Sequence, residues 1–246
     1  MFAKYGAYMD SSRRIFIIIL TTICLISIYS FSRAQSDHLL GNWSTLIVKG
    51  KITSKISTIN EIHFRSSNYS LKYDYYEIKA GVSYAFANNF YGLIGSGIYR
   101  TYQTGELFQL PLQQKEFRTW LELNYKYVIK RLNFEHRLRL EQRFFPDNYK
   151  NGLKCRLGII CPVNKSEMVQ GSIYLSTGDE LFFAQHNPII TKNRFYAGAG
   201  YKINENTAFQ IGCVNDTDFE LSDYSAKNYL QIMVIFDFST LVKKQS

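Results

Sequence analysis

The sequence predicts an all-β protein: a transmembrane, antiparallel up-and-down β-barrel of about ten strands that follows an N-terminal signal peptide. Three observations lead to this prediction. The 246-residue chain contains 19 tyrosines and 18 phenylalanines but only 4 prolines, a composition that favours strands. Its hydrophobic residues, 46% of the total, are dispersed among charges and do not form the runs of about 20 that a membrane-spanning helix needs. Long segments alternate apolar and polar residues, which is typical of strands with one face toward lipid.

The first 34 residues have the pattern of a secretory signal peptide. Arg13 and Arg14 precede an apolar run over residues 15–31, and Ser32-Arg33-Ala34 ends the segment with the small residues of a cleavage site. A retained membrane anchor is the alternative, but the run is short for a span and contains several Thr and Ser. For a β-barrel, an export signal predicts a location in the outer membrane of a Gram-negative cell.

The strands are predicted, in chain order, from runs of alternating residues. The clearest run is Leu132–Phe144, in which Leu138 and Leu140 lie on an apolar face and Arg137 and Arg139 on a polar one. A run of about 13 alternating residues is long for a soluble strand and suits a tilted membrane span. The barrel is assigned to residues 52–238, with strands at about 55–65, 75–86, 90–101, 115–127, 132–144, 153–161, 168–176, 193–203, 207–215 and 228–238.

The predicted connections alternate between short turns and longer loops, as periplasmic turns and extracellular loops do in outer-membrane barrels. The longer loops include residues 177–191 and 216–227. Residues 35–51 contain a further strand-like segment, Trp43 to Val48, so they form either an N-terminal extension or the first strand. Ten strands are favoured and twelve stay possible, because single-chain bacterial barrels have even numbers. Residues 239–246 form a C-terminal tail.

Charged side chains recur at the lumen-facing positions of these strands. In a narrow barrel such side chains fill the lumen, which indicates a structural salt-bridge network. Because Arg and Lys outnumber Glu, an anion-preferring pore or pocket is the other interpretation. The candidate lumen charge network consists of Glu61, His63, Arg65, Glu77, Glu116, Arg118, Glu122, Arg137, Arg139, Glu141, Arg143, Glu180 and Arg194. Further inward charges are Lys79, Glu135, Lys154 and Arg156.

Glu180 and Arg194 flank a predicted loop over residues 181–188. We expect an exposed loop that is ordered by one Glu–Arg pair, with an inward-folding lid as the alternative.

No catalytic, metal-binding or cofactor-binding motif is present, so we expect no enzyme activity and no cofactor. His136 faces outward, as the catalytic histidine of outer-membrane phospholipases does. Leu138, however, stands where the nucleophilic serine would be. His186 and Asp179 share a predicted loop, but nothing sets them as a catalytic pair.

The net charge of +9 does not predict nucleic-acid binding, because the basic residues alternate within strands and do not cluster. The expected partners are outer-membrane lipid and lipopolysaccharide, and the barrel-insertion machinery during biogenesis; the oligomeric state stays open. The leading function is structural or small-solute transport, porin-like, with a charge-filled lumen. The alternative is an envelope enzyme that acts on lipid or peptide.

A series of landmarks spans nearly all of the mature chain: Trp43, Glu61-x-His63-x-Arg65, Glu116-x-Arg118-x-Trp120, His136-Arg-Leu-Arg-Leu-Glu-Gln-Arg143, Asp179-Glu180-Leu-Phe182 and Asn193-Arg194-x-Tyr196-x-Gly198. Their order resembles a family of outer-membrane barrels, domain of unknown function 2490. The His-Arg-x-Arg-x-Glu-x-Arg run is the most specific of these landmarks. The resemblance implies a barrel in the outer membrane and brings no activity with it.

Overall fold

The computed structural model describes residues 40–68, 71–104, 107–185, 188–221 and 224–239. Within these ranges the chain forms eleven strands in one closed sheet, so the predicted all-β up-and-down barrel is confirmed. The predicted signal peptide, residues 35–39 and residues 240–246 of the tail lie outside the described residues. The strands are β1 (Gly41–Lys51), β2 (Ile56–Ser66), β3 (Tyr75–Ala87), β4 (Phe90–Thr101), β5 (Gln114–Ile129), β6 (Leu132–Phe144), β7 (Tyr149–Pro162), β8 (Ile173–Phe183), β9 (Ile190–Lys202), β10 (Thr207–Phe219) and β11 (Tyr224–Asp237).

The barrel closes through a parallel seam between β1 and β11. Gly41 pairs with Tyr229 and Lys49 with Asp237 in this seam, while β1 pairs with β2 in the antiparallel sense. The described residues therefore form one strand more than the ten predicted, because the segment from Trp43 onward belongs to the barrel wall. The expectation of an even number did not hold, since a parallel ladder also satisfies the backbone N–H and C=O groups of two edge strands.

β1 begins at one end of the barrel, the N-terminal mouth, and β11 ends at the opposite end, the C-terminal mouth. Connections at the C-terminal mouth are residues 52–55, 88–89, 130–131, 163–172 and 203–206. Those at the N-terminal mouth are residues 67–74, 102–113, 145–148, 184–189 and 220–223. Asn89 and Lys130 close the two tightest turns with positive φ angles of 69° and 55°. Short and long connections alternate less regularly than predicted.

Strands β8 to β11 run further toward the N-terminal mouth than the alternation predicted. The predicted loop over residues 177–191 is largely strand, since β8 extends to Phe183, and β10 and β11 extend likewise into residues 216–227. On the outer face, Asn193 donates a hydrogen bond to Asp179 at 2.7 Å. Because polar side chains bond across neighbouring strands here, the sheet continues where the sequence loses its alternation.

The outer wall of the barrel is mainly apolar, apart from polar side chains such as Asp179 and Asn193, and the inner wall carries most of the charges. Aromatic side chains collect at both mouths: Phe90 stacks on Tyr125 near the C-terminal mouth, with centroids 4.5 Å apart, and Phe64 packs against Phe108 near the N-terminal mouth, at 6.1 Å. Aliphatic side chains exposed between them include Ile78, Val82, Ile94, Leu121, Leu123, Leu138, Leu140, Leu175 and Ile211. Most buried residues are polar or charged, so burial is concentrated in the lumen. The part of the chain described here contains no helix long and apolar enough to cross a membrane.

Candidate functional site: the lumen charge network

The lumen holds a cavity of about 1780 Å³, whose lining reaches both mouths. Alternate residues of each strand point into it, as strand geometry requires. Every residue of the predicted charge network is among the lining residues. Basic side chains outnumber acidic ones in this lining by thirteen to nine, which favours anions over cations as occupants.

The network begins on β5 with Glu116. Arg118 donates to both carboxylate oxygens of Glu116, at 2.7 and 2.8 Å, and Arg143 donates to the same two oxygens at 2.6 and 3.2 Å. Alternation puts Glu116 and Arg118 on one face, and the β5–β6 register sets Arg143 opposite Arg118. The Glu116 side chain is only 2% exposed, so two guanidinium groups take the place of solvent around its charge.

Glu141 on β6 is the centre of this side of the network. Lys154 Nζ lies 2.7 Å and Arg139 Nη1 lies 3.3 Å from Glu141 Oε1. Arg118 Nη1 lies 3.6 Å from Oε2, and the Glu141 side chain is 1% exposed. Arg139 also lies over the ring of Trp120, with its guanidinium carbon 4.9 Å from the centroid. One buried carboxylate thus holds three cations together that would otherwise repel one another.

Arg137 carries the network from β6 to β8. Arg139 forms an ion pair with Glu122, and Arg137 lies 3.9 Å from the same carboxylate. Arg137 also contacts Glu180 across β7. Glu180 and Arg194 lie opposite each other on β8 and β9, 3.8 Å apart, where an exposed loop between them was predicted. The connection between these strands is residues 184–189, shorter than the predicted loop. Glu180 and Arg194 therefore lie on the strands themselves, where they face the lumen.

Asp216 on β10 extends the network across the seam to β2. Arg194 Nε lies 3.1 Å from Asp216 Oδ1, and Arg65 Nη1 lies 3.9 Å from Oδ2. Arg65 is also 4.0 Å from Glu77 on β3. The guanidinium groups of Arg65 and Arg194 lie 4.6 and 4.9 Å from the ring of Trp43, a favourable cation–π arrangement. Through Asp216, all predicted network residues are joined into one chain of contacts.

The hydrogen bonds of His63 define its tautomer. Trp43 Nε1 donates to His63 Nδ1 at 3.0 Å, and because an indole nitrogen can only donate, Nδ1 is an acceptor. The proton is therefore on Nε2, which lies 3.0 Å from Glu61 and 3.6 Å from Glu77. Thr45 Oγ1 also lies 3.0 Å from Nδ1. A general base for Thr45 would need this lone pair, and Trp43 already occupies it.

The side chains of the network are most buried in the middle of the lumen and more exposed toward both mouths. Glu141 is 1% and Arg139 8% exposed in the middle, whereas Arg143 near the N-terminal mouth is 32% exposed. Toward the C-terminal mouth the exposure rises to 29% for Glu135, 36% for Arg156 and 47% for Lys126. We call the part of the lumen at the C-terminal mouth the lower chamber; it is lined by Ile47, Lys49, Ile59, Leu93, Lys126, Glu135, Arg156, Ile160, Met233 and Ile235.

Two residues of the network had no predicted role. Asp216 fell in a predicted loop, although it continues the lumen-facing alternation of β10. Trp43 was a landmark of a segment that was predicted to be either an N-terminal extension or the first strand. Lys79, an inward charge by alternation, joins Glu61 and Glu77 at 2.6 and 2.9 Å. Within the described ranges no group of three or more His, Cys, Asp and Glu side chains is arranged to hold a metal ion.

The landmarks along the sequence meet in this network: Trp43 bonds to His63, Arg118 pairs with Glu141, and Glu180 with Arg194. No curated protein and no solved structure matches the chain significantly. A family model described as a protein of unknown function, DUF2490, matches residues 40–226. This range runs from β1 into β11 and contains the whole network. The chain therefore belongs to the DUF2490 family.

Proposed function

We propose that the chain is an integral outer-membrane β-barrel whose lumen takes up small anionic solutes and whose ion-pair network controls their passage. Its outer wall supports the membrane part of the proposal. An aliphatic band lies between aromatic side chains at both mouths, which is the arrangement that a lipid bilayer favours, while most charges of the strands face inward. A soluble barrel would have the opposite distribution, with its apolar side chains inside.

The observation that carries the solute role is a charged cavity with buried ion pairs in its middle. The basic excess of its lining favours anions, and we expect the buried side chains of Glu141 and Arg139 to make the middle of the lumen narrow. Selectivity in pores arises from such rings of charge and from constrictions. In the unmodified protein, we expect a solute to bind in the lower chamber and the lumen to conduct ions poorly.

Cell fractionation tests the location. The full chain, expressed in a Gram-negative host, is expected in the outer-membrane fraction and should need detergent for extraction. It should also migrate differently on a gel before and after heating, as folded barrels do. Recovery as a soluble periplasmic protein would contradict the membrane role.

Conductance in planar bilayers tests the passage of solutes. The unmodified protein is expected to give small, infrequent currents. Arg139→Ala removes a side chain from the narrow middle and should give larger currents with anion selectivity in the reversal potential. Lys115→Ala, near the N-terminal mouth and outside the lumen lining, is the matched control and should behave like the unmodified protein. Large currents without substitution, or none in Arg139→Ala, would contradict the gating role.

The partners that this role implies are lipid and lipopolysaccharide around the outer wall, and the insertion machinery during biogenesis. The end of β11 supports the role of the insertion machinery. Phe236 near the end of this strand and Phe238 directly after it are aromatic, with rings stacked 6.3 Å apart. Exchange of both for Ser should lower the amount of barrel assembled in the outer membrane at unchanged expression.

The surroundings of the two histidines in the barrel wall, His63 and His136, do not favour hydrolytic catalysis. His63 shares its acceptor nitrogen with Trp43, and His136 stacks on Tyr127 on the outer face, with centroids 5.7 Å apart. We therefore expect no turnover of phospholipid by the purified protein. Turnover that disappears in His136→Ala would contradict this expectation.

A further inference from the structure

The lower chamber combines two kinds of lining, aliphatic side chains and cations. Ile47 and Ile235 face each other across the β1–β11 seam, and Ile59 lies beside Lys49 across β1 and β2. Leu93 and residues of β7 and β11 extend this aliphatic lining. All of these side chains are partly exposed to the cavity, so solvent in the chamber wets an apolar wall at a cost in free energy.

Three cations, Lys49, Lys126 and Arg156, line the same chamber, and two of them contact one carboxylate. Lys126 Nζ lies 2.8 Å from Glu135 Oε2, and Arg156 Nη2 contacts Oε1. The electrostatic neighbours of Lys49 are Lys126 and the carboxylates of Glu135, Asp237 and Glu61. Asp237 pairs with Lys49 in the seam register, but among the described residues no acid forms an ion pair with Lys49. Glu61 is paired with Lys79, so the three cations of the chamber exceed Glu135 and Asp237 by one.

These two linings together match a ligand that has both an anionic group and a hydrocarbon part. An inorganic anion would satisfy the cations and leave the aliphatic wall in contact with water. A neutral hydrocarbon would cover the wall and leave the excess positive charge without a partner. A carboxylate on a hydrocarbon chain does both, because charge-assisted hydrogen bonds hold its head and apolar burial holds its tail.

We propose that the lower chamber binds an amphipathic carboxylate of medium chain length, with its head on Lys49, Lys126 and Arg156 and its chain along Ile47, Ile59 and Ile235. This inference rests on the proposed function, since it names the class of solute that the lumen takes up. Glu135 competes with the ligand for Lys126 and Arg156. Its charge therefore sets the affinity of the chamber.

The test uses the full chain reconstituted in nanodiscs of zwitterionic lipid, with empty nanodiscs as the blank. Binding is followed through the carboxyl NMR signal of decanoate labelled at its first carbon. We expect saturable binding, weakened about tenfold by Lys126→Gln because one charge-assisted contact is lost, and tightened by Glu135→Gln. Lys150→Gln, the same charge change at the other mouth, should leave the affinity unchanged. Lys49→Gln gives a second variant of the chamber that should weaken binding.

Several results would overturn the inference. Equal competition by decanol would show that the charge is not recognised, and acetate that binds as tightly as decanoate would show that the apolar wall contributes nothing. Unchanged affinity in both lysine variants would place the ligand elsewhere. A chain that inserts and folds but does not bind decanoate overturns this inference and leaves the proposed barrel role standing. If the chain binds decanoate but stays soluble without lipid, the binding chamber is supported and the membrane role is contradicted.

Discussion

Neutralising Glu141 should destabilise the barrel more than any equivalent change near the mouths. In Glu141→Gln, Lys154 and Arg139 keep their positions, but the carboxylate that compensates them is gone. Removing one partner of a buried ion pair costs about 3–5 kcal/mol. The adjacent cavity lets water relieve part of the repulsion, so we expect a loss near the lower limit, about 3 kcal/mol.

Glu135→Gln is the matched control, because it makes the same change on the same face of β6. Glu135 is 29% exposed, and pairs in contact with solvent contribute only about 0–1 kcal/mol. Urea unfolding in phospholipid vesicles, followed by the fluorescence of the two tryptophans, measures both free energies. Adding Lys154→Met to Glu141→Gln should recover part of the loss, since one unbalanced cation is removed. Equal losses in the two glutamine variants would refute the argument that burial makes Glu141 the centre of the network.

Three further substitutions test other parts of the structure. Leu121→Arg, on the exposed apolar band, should lower stability in vesicles by about 2–4 kcal/mol if that band faces lipid, and an unchanged unfolding free energy would contradict the proposal. Gly95→Ala puts a methyl group within 2.3 Å of the Trp120 ring; it should cost about 1–3 kcal/mol and change the fluorescence of Trp120. Gly92→Ala, with no atom closer than 3.8 Å, should leave that fluorescence unchanged. Trp43→Phe removes the N–H donor to the imidazole and should cost about 1 kcal/mol in urea unfolding. Nitrogen-15 NMR should still detect the His63 tautomer protonated at Nε2, because the Glu61 carboxylate can only accept a hydrogen bond from that nitrogen.

Alternation predicted the part of the barrel in which one face is purely apolar. The predicted strand over residues 132–144 has the same limits as β6, and residues 115–127 lie within β5. Prediction failed on the part of β8 toward the N-terminal mouth, because Asp179 is polar on the outer face and bonds to Asn193 of β9. A single sequence does not reveal that partner, since it lies on another strand.

Which side chains enter the lumen could be predicted, but which of them meet could not. Successive side chains alternate between the two faces of a strand, so the sequence shows which of them face the lumen. The contact of Arg65 with Asp216 depends instead on the closure of the barrel through β1 and β11, which brings residues from opposite ends of the chain together. The number of strands decides that closure, and it was the part of the prediction that differed from the structure.

The parallel seam also determines how the barrel would respond to force. Because the strand number is odd, Gly41 and Asp237 lie at opposite mouths, and a tether before β1 and another after β11 would pull along the barrel axis in opposite directions. Such a load shears β1 against β11, from the pair Gly41–Tyr229 to the pair Lys49–Asp237, so the hydrogen bonds of the seam resist it together. A barrel with both chain ends at one mouth would instead have its edge strands peeled apart bond by bond. The fold is therefore suited to bear tension between its two mouths.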